Sequence, residues 1–169
     1  MTASELLTKR AVLTPDREAL YDLHGNKRYK YSHLNERANR LANLLRDKLG
    51  INKGDRVSIL AHNGIEYIDL MYAVTKIGAV LVPLNWRLPP SKNVFIINDC
   101  SPKVLIYGSE FADVYNEMKS EINVNHVLIC SGGTRTEGVL DYEEELSLSM
   151  DDEPERPLDT NENDPCFIL

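Results

Sequence analysis

The chain has 169 residues, 43% hydrophobic and 27% charged, a composition typical of a globular domain rather than of a disordered or fibrous protein. Its net charge of -7 is uneven, because residues 1–140 carry 18 Lys and Arg against 15 Asp and Glu, whereas the last 29 residues carry 11 acids and one base. Nucleic-acid binding needs clustered basic residues, so this balance argues against such a partner and predicts a solvated acidic linker near the C-terminus.

The N-terminal sequence and the cysteines indicate the cellular compartment. The first ten residues lack the apolar core of a secretory signal, and no apolar run approaches the roughly 20 residues that span a bilayer. The cysteines show no Cys-x-x-Cys spacing, which favours reduced thiols over a disulfide framework or a zinc site. The histidines are scattered, and a structural or surface role is favoured for each over a metal-ligating or catalytic one. We therefore expect a cytoplasmic protein whose own residues bind no metal. The residues concerned are Cys100, Cys130, Cys166, His24, His33, His62 and His126.

A β-hairpin and a long helix are predicted within residues 1–55, after a short N-terminal helix. The alternating runs Arg17–Leu23 and Lys27–Tyr31 flank His24-Gly25-Asn26, a turn sequence typical of hairpins. Ser32 is predicted to cap the next helix. Apolar residues then recur at three- and four-residue spacing up to Leu49, and Gly50 stands at the C-terminal cap position.

Residues 56–130 alternate between short apolar runs and helical patterns. A first helix is predicted to open with a capping box at Asn63–Glu66 and to end near Gly78; a second follows Pro89 and stops before Pro102, and Ser109 is predicted to cap a third. Continuous apolar strands are typical of a sheet covered by helices on both faces. The predicted fold class is α/β, a doubly wound and mostly parallel sheet with flanking helices, preceded by the hairpin. The predicted strands are Arg56–Ala61, Ala79–Leu84, Lys103–Tyr107 and His126–Cys130.

The remaining sequence is predicted to be less regular. Residues 131–164 are predicted to form a variable loop and the acidic linker, with one short helix around Asp141–Leu148. Asp164-Pro165 predicts a turn, and Cys166–Leu169 predicts the start of a buried strand. Because natural termini are normally exposed and loosely tied, we expect residues 1–169 to be the N-terminal part of a larger domain, truncated within residues 165–169.

Two candidate anion or metal sites are weak. Ser131-Gly132-Gly133-Thr134 follows a predicted strand, and its backbone amides are able to cradle a phosphate, but the acidic residues downstream would repel one, so a surface turn is favoured. Adjacent acids such as Glu143-Glu144 and Asp151-Asp152 do not face one another on a helix, so a charged linker is favoured over catalytic carboxylates or magnesium ligands.

Arg87 is the one candidate for ligand binding that we single out. It lies in Asn85-Trp86-Arg87-Leu88, just beyond the C-terminal end of a predicted parallel strand, and open α/β sheets bind ligands at that edge. A guanidinium there suits a phosphate or carboxylate, with Trp86 either stacking or filling a corner. The alternative is a structural ion pair for Arg87.

Several stretches, in order, resemble the adenylate-forming superfamily. Tyr31-Ser32-His33-Leu34 resembles its Tyr-x-x-Leu motif, and Thr75–Asn85 resembles its Gly-Ala-x-x-x-Pro-Leu-Asn segment. Asn85–Leu88 is typical of its fatty-acyl coenzyme A ligases, and Asp164–Leu169 resembles the strand that precedes its phosphate loop. Gly54–Val57 and Asn63–Glu66 resemble the strand and helix between these motifs. The chain is therefore similar to the N-terminal portion of an AMP-forming acyl-coenzyme A synthetase.

The resemblance implies an enzyme that uses ATP and Mg²⁺ to convert a carboxylic acid, expected to be a fatty acid, into an acyl-adenylate, from which coenzyme A displaces AMP. In the family the catalytic and metal-binding groups lie downstream of this sequence, so no catalytic or metal residue is assigned here. Some coenzyme A ligases place an arginine of the Asn-x-Arg-Leu segment near the coenzyme A nucleotide, which makes Arg87 the cofactor-binding candidate. Residues 1–169 alone are expected to be inactive and to self-associate.

Two alternatives remain at the level of sequence. Aryl-acid ligases and peptide-synthetase adenylation domains share these early motifs. A stand-alone Rossmann-like binding module, with Arg87 or Ser131–Thr134 as its site, is the alternative outside the family.

Overall fold

A five-stranded parallel sheet and a separate two-stranded hairpin form the framework of the chain, as described by a computed structural model for residues 3–23, 25–130, 137–161 and 163–169. The helices are α1 (Ala3–Leu13), α2 (Tyr31–Asn43), α3 (Ile65–Ile77), α4 (Pro90–Cys100), α5 (Ala112–Met118) and α6 (Tyr142–Leu148). The strands are β1 (Glu18–Asp22), β2 (Lys27–Lys30), β3 (Arg56–Leu60), β4 (Val80–Pro83), β5 (Val104–Tyr107), β6 (His126–Ile129) and β7 (Leu140–Asp141).

The predicted fold class is confirmed. The main sheet has the order β4-β3-β5-β6-β7 with every described pair parallel, and β1 and β2 form the antiparallel hairpin. Successive residues of each strand point to opposite faces, so Val57 and Ile59 of β3 pack with α2 and α3, while Leu60 packs on the side of α4 and α5. A hydrophobic core on each face explains why the strands are continuous apolar runs. The short strand β7 was not predicted, since two residues carry no recognisable pattern.

Three predicted helix caps are wrong, although the helices themselves are present. Helix α2 starts before Ser32, whose hydroxyl donates to the Pro15 carbonyl at 3.0 Å. Helix α3 has Gly64 at its N-cap with no side-chain cap, so the Asn63–Glu66 capping box does not form. Ser109 lies inside a 3₁₀ turn, Ser109–Phe111, that precedes α5. In each case the actual cap lies one or two residues away from the predicted one, which is the usual uncertainty of helix ends.

The predicted C-terminal ends of the helices agree better with the structure. Gly78 ends α3 with φ of 71°, and Gly50 has φ of 67°, both in the left-handed region that glycine adopts without a steric penalty. Helix α2 continues into a π-helical turn, Leu44–Lys48, in which the Leu49 N–H donates to the Leu44 carbonyl at 3.1 Å. That wider turn was not predicted.

The acidic segment, described at residues 141–161 and 163–164, is a strap bound to the helices rather than the predicted solvated linker. Asn39 and Asn43 of α2 donate to backbone carbonyls of the segment, Asn39 to Asp151 at 2.8 Å and Asn43 to Met150 at 2.9 Å. Basic residues from the first 140 positions are its ionic partners. The ion pairs are Arg37–Glu143, Arg40–Asp151, Lys48–Glu145, Lys76–Glu153, Lys53–Asp159 and Lys53–Asp164.

The last residues lie against β4 at the edge of the sheet. The Leu81 N–H donates to the Cys166 carbonyl at 2.9 Å, the Ile168 N–H donates to the Leu81 carbonyl at 3.0 Å, and Phe167 forms a parallel bridge with Leu81. The predicted strand is therefore present as a single bridge, and its predicted burial is wrong, since Phe167 and Ile168 are 38% and 43% exposed. Among the described residues, no helix combines the length and apolarity needed to cross a membrane.

Candidate functional site

The C-terminal ends of three neighbouring strands bring polar and aromatic side chains together. The sheet order places β3 between β4 and β5, and parallel strands end at the same edge. His62 follows β3, Trp86 and Arg87 follow β4, and Glu110 follows β5. This edge is where the sequence predicted a ligand site for Arg87.

Trp86, His62 and Phe111 form an aromatic cluster at this edge. The ring centroids of His62 and Trp86 are 4.6 Å apart at an interplanar angle of 83°, an edge-to-face geometry, and those of His62 and Phe111 are 5.0 Å apart. The Nδ1 atom of His62 lies 3.1 Å from Oε1 of Glu110. His62 is therefore held by an aromatic contact on one side and a carboxylate on the other.

The Arg87 guanidinium stacks on Trp86, with its Cζ atom 4.1 Å from the ring centroid. Arg87 is exposed and forms no ion pair with any residue that the structure describes. Among the described residues, the contact of the guanidinium is therefore a cation–π interaction with Trp86.

The turn that carries Arg87 is fixed by two asparagines. The Asn85 side-chain oxygen accepts from the Arg87 N–H at 3.0 Å, and the Asn85 carbonyl accepts from the Leu88 N–H at 3.0 Å. The fully buried Asn93 of α4 also donates to the Asn85 carbonyl, at 3.4 Å. These bonds set the backbone direction at Arg87 and so restrict where its side chain starts.

Two clefts open beside this edge and share His62, Asn63, Gly64 and Glu66. The larger, of about 820 Å³, lies between the hairpin and the start of α3, and the smaller, of about 170 Å³, lies between the ends of β3 and β5. The remaining residues that line the larger cleft are Asp22, Gly25, Lys27, Tyr29, Arg37, Ile65 and Glu143.

A buried charge cluster forms one wall of the larger cleft. Arg37 Nε donates to Asp69 at 2.9 Å, the Tyr142 hydroxyl donates to the same Asp69 oxygen at 3.1 Å, and Arg37 contacts both oxygens of Glu143 at 3.1 and 2.7 Å. Burial raises the pKa of Asp69 to about 6, against the opposing effect of Arg37 and Tyr142. The cluster ties α6 of the strap to α2 and α3, which is a structural role.

The structure accounts for the other candidate residues in different ways. Ser131–Thr134 lies outside the described residues, as does His24. Glu143 and Asp151 are directed to Arg37 and Arg40 and not toward a shared ligand. Within the described ranges, no three His, Cys, Asp or Glu side chains lie close enough to hold a metal ion.

The cysteines are not activated as nucleophiles at this edge. All three are free, and burial raises the pKa of the Cys130 thiol, which lines the smaller cleft, and that of Cys100. His62 and Glu110 were the members of the edge cluster that sequence reasoning missed. Both residues follow the end of a predicted parallel strand, as Arg87 does. That position was the sequence signal that would have predicted them.

The profile of the AMP-binding enzyme family matches residues 7–169. The chain belongs to the AMP-binding enzyme family. Its sheet with flanking helices has the fold of the N-terminal domain of an adenylate-forming enzyme whose structure has been solved.

Relatives of this chain are coenzyme A ligases. It is 34% identical over 166 residues to the long-chain-fatty-acid–CoA ligase FadD13 of Mycobacterium tuberculosis. This alignment covers 97% of this chain and 31% of the relative. It is 32% identical over 174 residues to the 3-oxocholest-4-en-26-oate–CoA ligase of Rhodococcus rhodochrous, covering 100% of this chain and 30% of that protein. The inhibitor-bound N-terminal domain of FACL13 from Mycobacterium tuberculosis superposes with a TM-score of 0.83 at 32% identity, covering 97% of this chain and 39% of that domain. The chain thus spans less than a third of the length of these curated relatives.

The described residues fit one of the family's ligand groups better than another. AMP-binding acyl-coenzyme A ligases use ATP, Mg²⁺ and coenzyme A. The described part of this chain offers no set of carboxylates for Mg²⁺, so no step through the metal is assigned to it. Arg87, exposed and free of a carboxylate partner among the described residues, has the chemistry that a phosphate group requires.

Proposed function

We propose that this chain is the N-terminal portion of an ATP-dependent, AMP-forming acid–coenzyme A ligase that acts on a fatty acid. Membership of the AMP-binding family and the 34% identity to a long-chain-fatty-acid–CoA ligase support the proposal. In this reaction the carboxylate attacks the α-phosphorus of ATP and releases pyrophosphate, and the coenzyme A thiol then displaces AMP from the acyl-adenylate. The chain contributes sheet, helices and the strand-end cluster that contains Arg87.

Within this function, Arg87 binds a phosphate group of coenzyme A. The observation that carries this assignment is an exposed guanidinium at the ligand-binding edge of the sheet, stacked on Trp86 at 4.1 Å without an ion-pair partner among the described residues. The indole ring offers no hydrogen-bond acceptor, and no described carboxylate pairs with Arg87, so its N–H groups stay available for a phosphate. Coenzyme A carries three phosphates and enters only the second half-reaction, so Arg87 acts there and not in adenylation.

The test is steady-state kinetics of the full-length ligase with Arg87→Ala. We expect a higher KM for coenzyme A, corresponding to a loss of about 1–3 kcal/mol, and an unchanged rate of fatty-acid-dependent ATP–pyrophosphate exchange. The matched control is Arg28→Ala, since Arg28 also stacks on an aromatic ring, Tyr21, at 4.0 Å but lies in the hairpin. A parallel fall of both half-reactions and of the melting temperature would assign Arg87 a structural role instead.

The substrate class is tested separately with a series of acids. Pyrophosphate exchange is measured with fatty acids of increasing chain length and, in parallel, with benzoate and amino acids. We expect exchange with the fatty acids. Exchange supported by an aromatic or amino acid alone would replace the fatty-acid assignment with that of an aryl-acid ligase or a peptide-synthetase adenylation domain.

A further inference from the structure

We infer that Trp86 and His62 are positioning residues that hold the Arg87 guanidinium in the direction needed to receive a phosphate. The inference rests on the function proposed above for Arg87 and adds the residues through which the fold sets its geometry. Neither residue needs to touch the ligand for this role.

A continuous series of contacts crosses three strand ends and finishes at Arg87. Glu110, after β5, contacts Nδ1 of His62 at 3.1 Å. The His62 ring, after β3, meets the Trp86 ring edge-to-face at 4.6 Å, and the Trp86 ring carries the Arg87 guanidinium at 4.1 Å. Because β4, β3 and β5 are adjacent in the sheet, the direction of Arg87 depends on residues far apart in sequence.

Arg87 needs such a support because nothing else among the described residues fixes its side chain. An arginine has several rotatable bonds, and ordering them on ligand binding costs free energy unless they are ordered beforehand. Trp86 is itself 38% exposed at a turn, so its ring would rotate without a lateral contact. His62 supplies that contact, and Phe111, with its centroid 6.3 Å from that of Trp86, closes another side.

The cation–π contact also explains why an aromatic platform suits this position better than a carboxylate. A carboxylate would accept hydrogen bonds from the guanidinium N–H groups and compete with an incoming phosphate. An indole has no hydrogen-bond acceptor and leaves those N–H groups without a competing partner. The platform therefore orders the cation without neutralising it.

The first test measures the order of Arg87 in the 169-residue chain, by ¹⁵N relaxation of its side-chain Nε–H group. We expect a heteronuclear NOE typical of an ordered group in the wild type, a fall to that of a freely rotating side chain in Trp86→Leu, and recovery in Trp86→Phe, which restores a ring face. Arg28, stacked on Tyr21, is the internal reference and stays unchanged. An unaltered Arg87 signal in a folded Trp86→Leu protein would overturn the inference.

The His62 contact is tested through the fluorescence of Trp86, the only tryptophan in the sequence. We expect His62→Ala to increase the fast local component of the time-resolved anisotropy decay, because the ring loses its lateral support. Ser109→Ala, at the same edge of the sheet, is the control for a nonspecific effect. Equal anisotropy decays in wild type and His62→Ala would remove His62 from the positioning role.

The third test links order to function in the full-length ligase. An exposed cation–π contact predicts that Trp86→Leu raises the KM for coenzyme A about two- to fivefold, with recovery in Trp86→Phe. In the Arg87→Ala background the same substitution is expected to have no further effect, because Trp86 acts through Arg87. Additive effects would overturn the inference. If Arg87→Ala alone left the KM for coenzyme A unchanged, the proposed role of Arg87 in binding coenzyme A would be wrong. The relaxation experiment would still decide whether Trp86 orders the Arg87 side chain.

Discussion

The Lys76 ammonium group, on α3, pairs with the Glu153 carboxylate of the strap at 2.5 Å, and the Lys76 side chain is only 1% exposed. Thr8 of α1 and Asn35 of α2 complete the surroundings of the ammonium, at 2.9 and 3.1 Å. Burial lowers the pKa of Lys76, and the bond to Glu153 opposes that shift. One buried cation thus joins three helices to the acidic strap.

We therefore predict that Glu153→Gln destabilises the chain, because it leaves the buried Lys76 without its counter-charge. A fully buried orphan charge costs about 3–5 kcal/mol, but the Glu153 side chain is 46% exposed, so we expect a loss of about 1–3 kcal/mol in the free energy of unfolding. Glu155→Gln is the matched control, since Glu155 is exposed on the same strap and forms no ion pair with a described residue. Urea denaturation of both variants provides the comparison, and equal stabilities would contradict the prediction.

The buried carboxyl of Asp69 predicts a specific dependence of stability on pH. Burial raises its folded pKa to about 6, above the ordinary value of 3.8, so its favourable contribution is complete below pH 3.8 and declines as the pH rises through 6. Asp69→Asn removes this titration while keeping the shape of the side chain. We expect the stability advantage of the wild type over Asp69→Asn to shrink by about 1–2 kcal/mol between pH 5 and pH 7.5.

The comparison with Asp69→Asn is needed because other carboxyls titrate in the opposite sense. Hydrogen bonds from Lys30 and Arg46 lower the pKa values of Asp16 and Asp47 respectively, so those groups favour folding at higher pH. Their contribution is the same in both proteins and cancels in the difference. Denaturant titrations at pH 5 and pH 7.5 measure this difference, and a gap that stayed constant between the two pH values would show that Asp69 is already ionised at pH 5 and so contradict the prediction.

The main sheet was predictable from local sequence, whereas the strap was not. Strands such as Val104–Tyr107 are continuous apolar runs, and Gly78 marks a helix end by its backbone preference, so both signals lie within a few residues. The strap depends on contacts such as Lys76–Glu153, separated by 77 residues, and composition alone does not show which charges meet. The acidic composition of the segment therefore predicted a solvated linker, although its carboxylates form ion pairs with distant basic residues.

The candidate site divides in the same way. The place of Arg87 followed from the rule that ligands bind at the C-terminal edge of parallel strands. Its partners did not, because the order β4-β3-β5 that brings His62 and Glu110 beside Trp86 is a property of the whole sheet. Treating all residues that follow the parallel strands as one group at one edge of the sheet would have predicted that His62, Glu110, Trp86 and Arg87 lie together.

We predict that the 169-residue protein self-associates through the edge beside β4. Phe167 and Ile168 are 38% and 43% exposed there, and apolar side chains beside an edge strand favour association. Light scattering over a concentration series should show a rising mass for the wild type and less of a rise for Ile168→Lys. Leu158→Lys, which changes an exposed leucine of the strap, is the control. A constant monomer mass at high concentration would argue against this surface.

The last prediction is that residues 1–169 fold but do not catalyse adenylation on their own. The carboxylate and the triphosphate are both anions, so their reaction needs hydrogen-bond donors and a metal ion arranged around the phosphates. The described residues provide no metal-ligand group, and the chain spans only 31% of its long-chain-fatty-acid–CoA ligase relative. We expect fatty-acid-dependent ATP–pyrophosphate exchange by purified 1–169 to equal that of a heat-treated sample. Cooperative thermal unfolding of the same preparation provides the control for folding, and exchange above the heat-treated level, measured beside the full-length enzyme, would place catalytic groups within this chain.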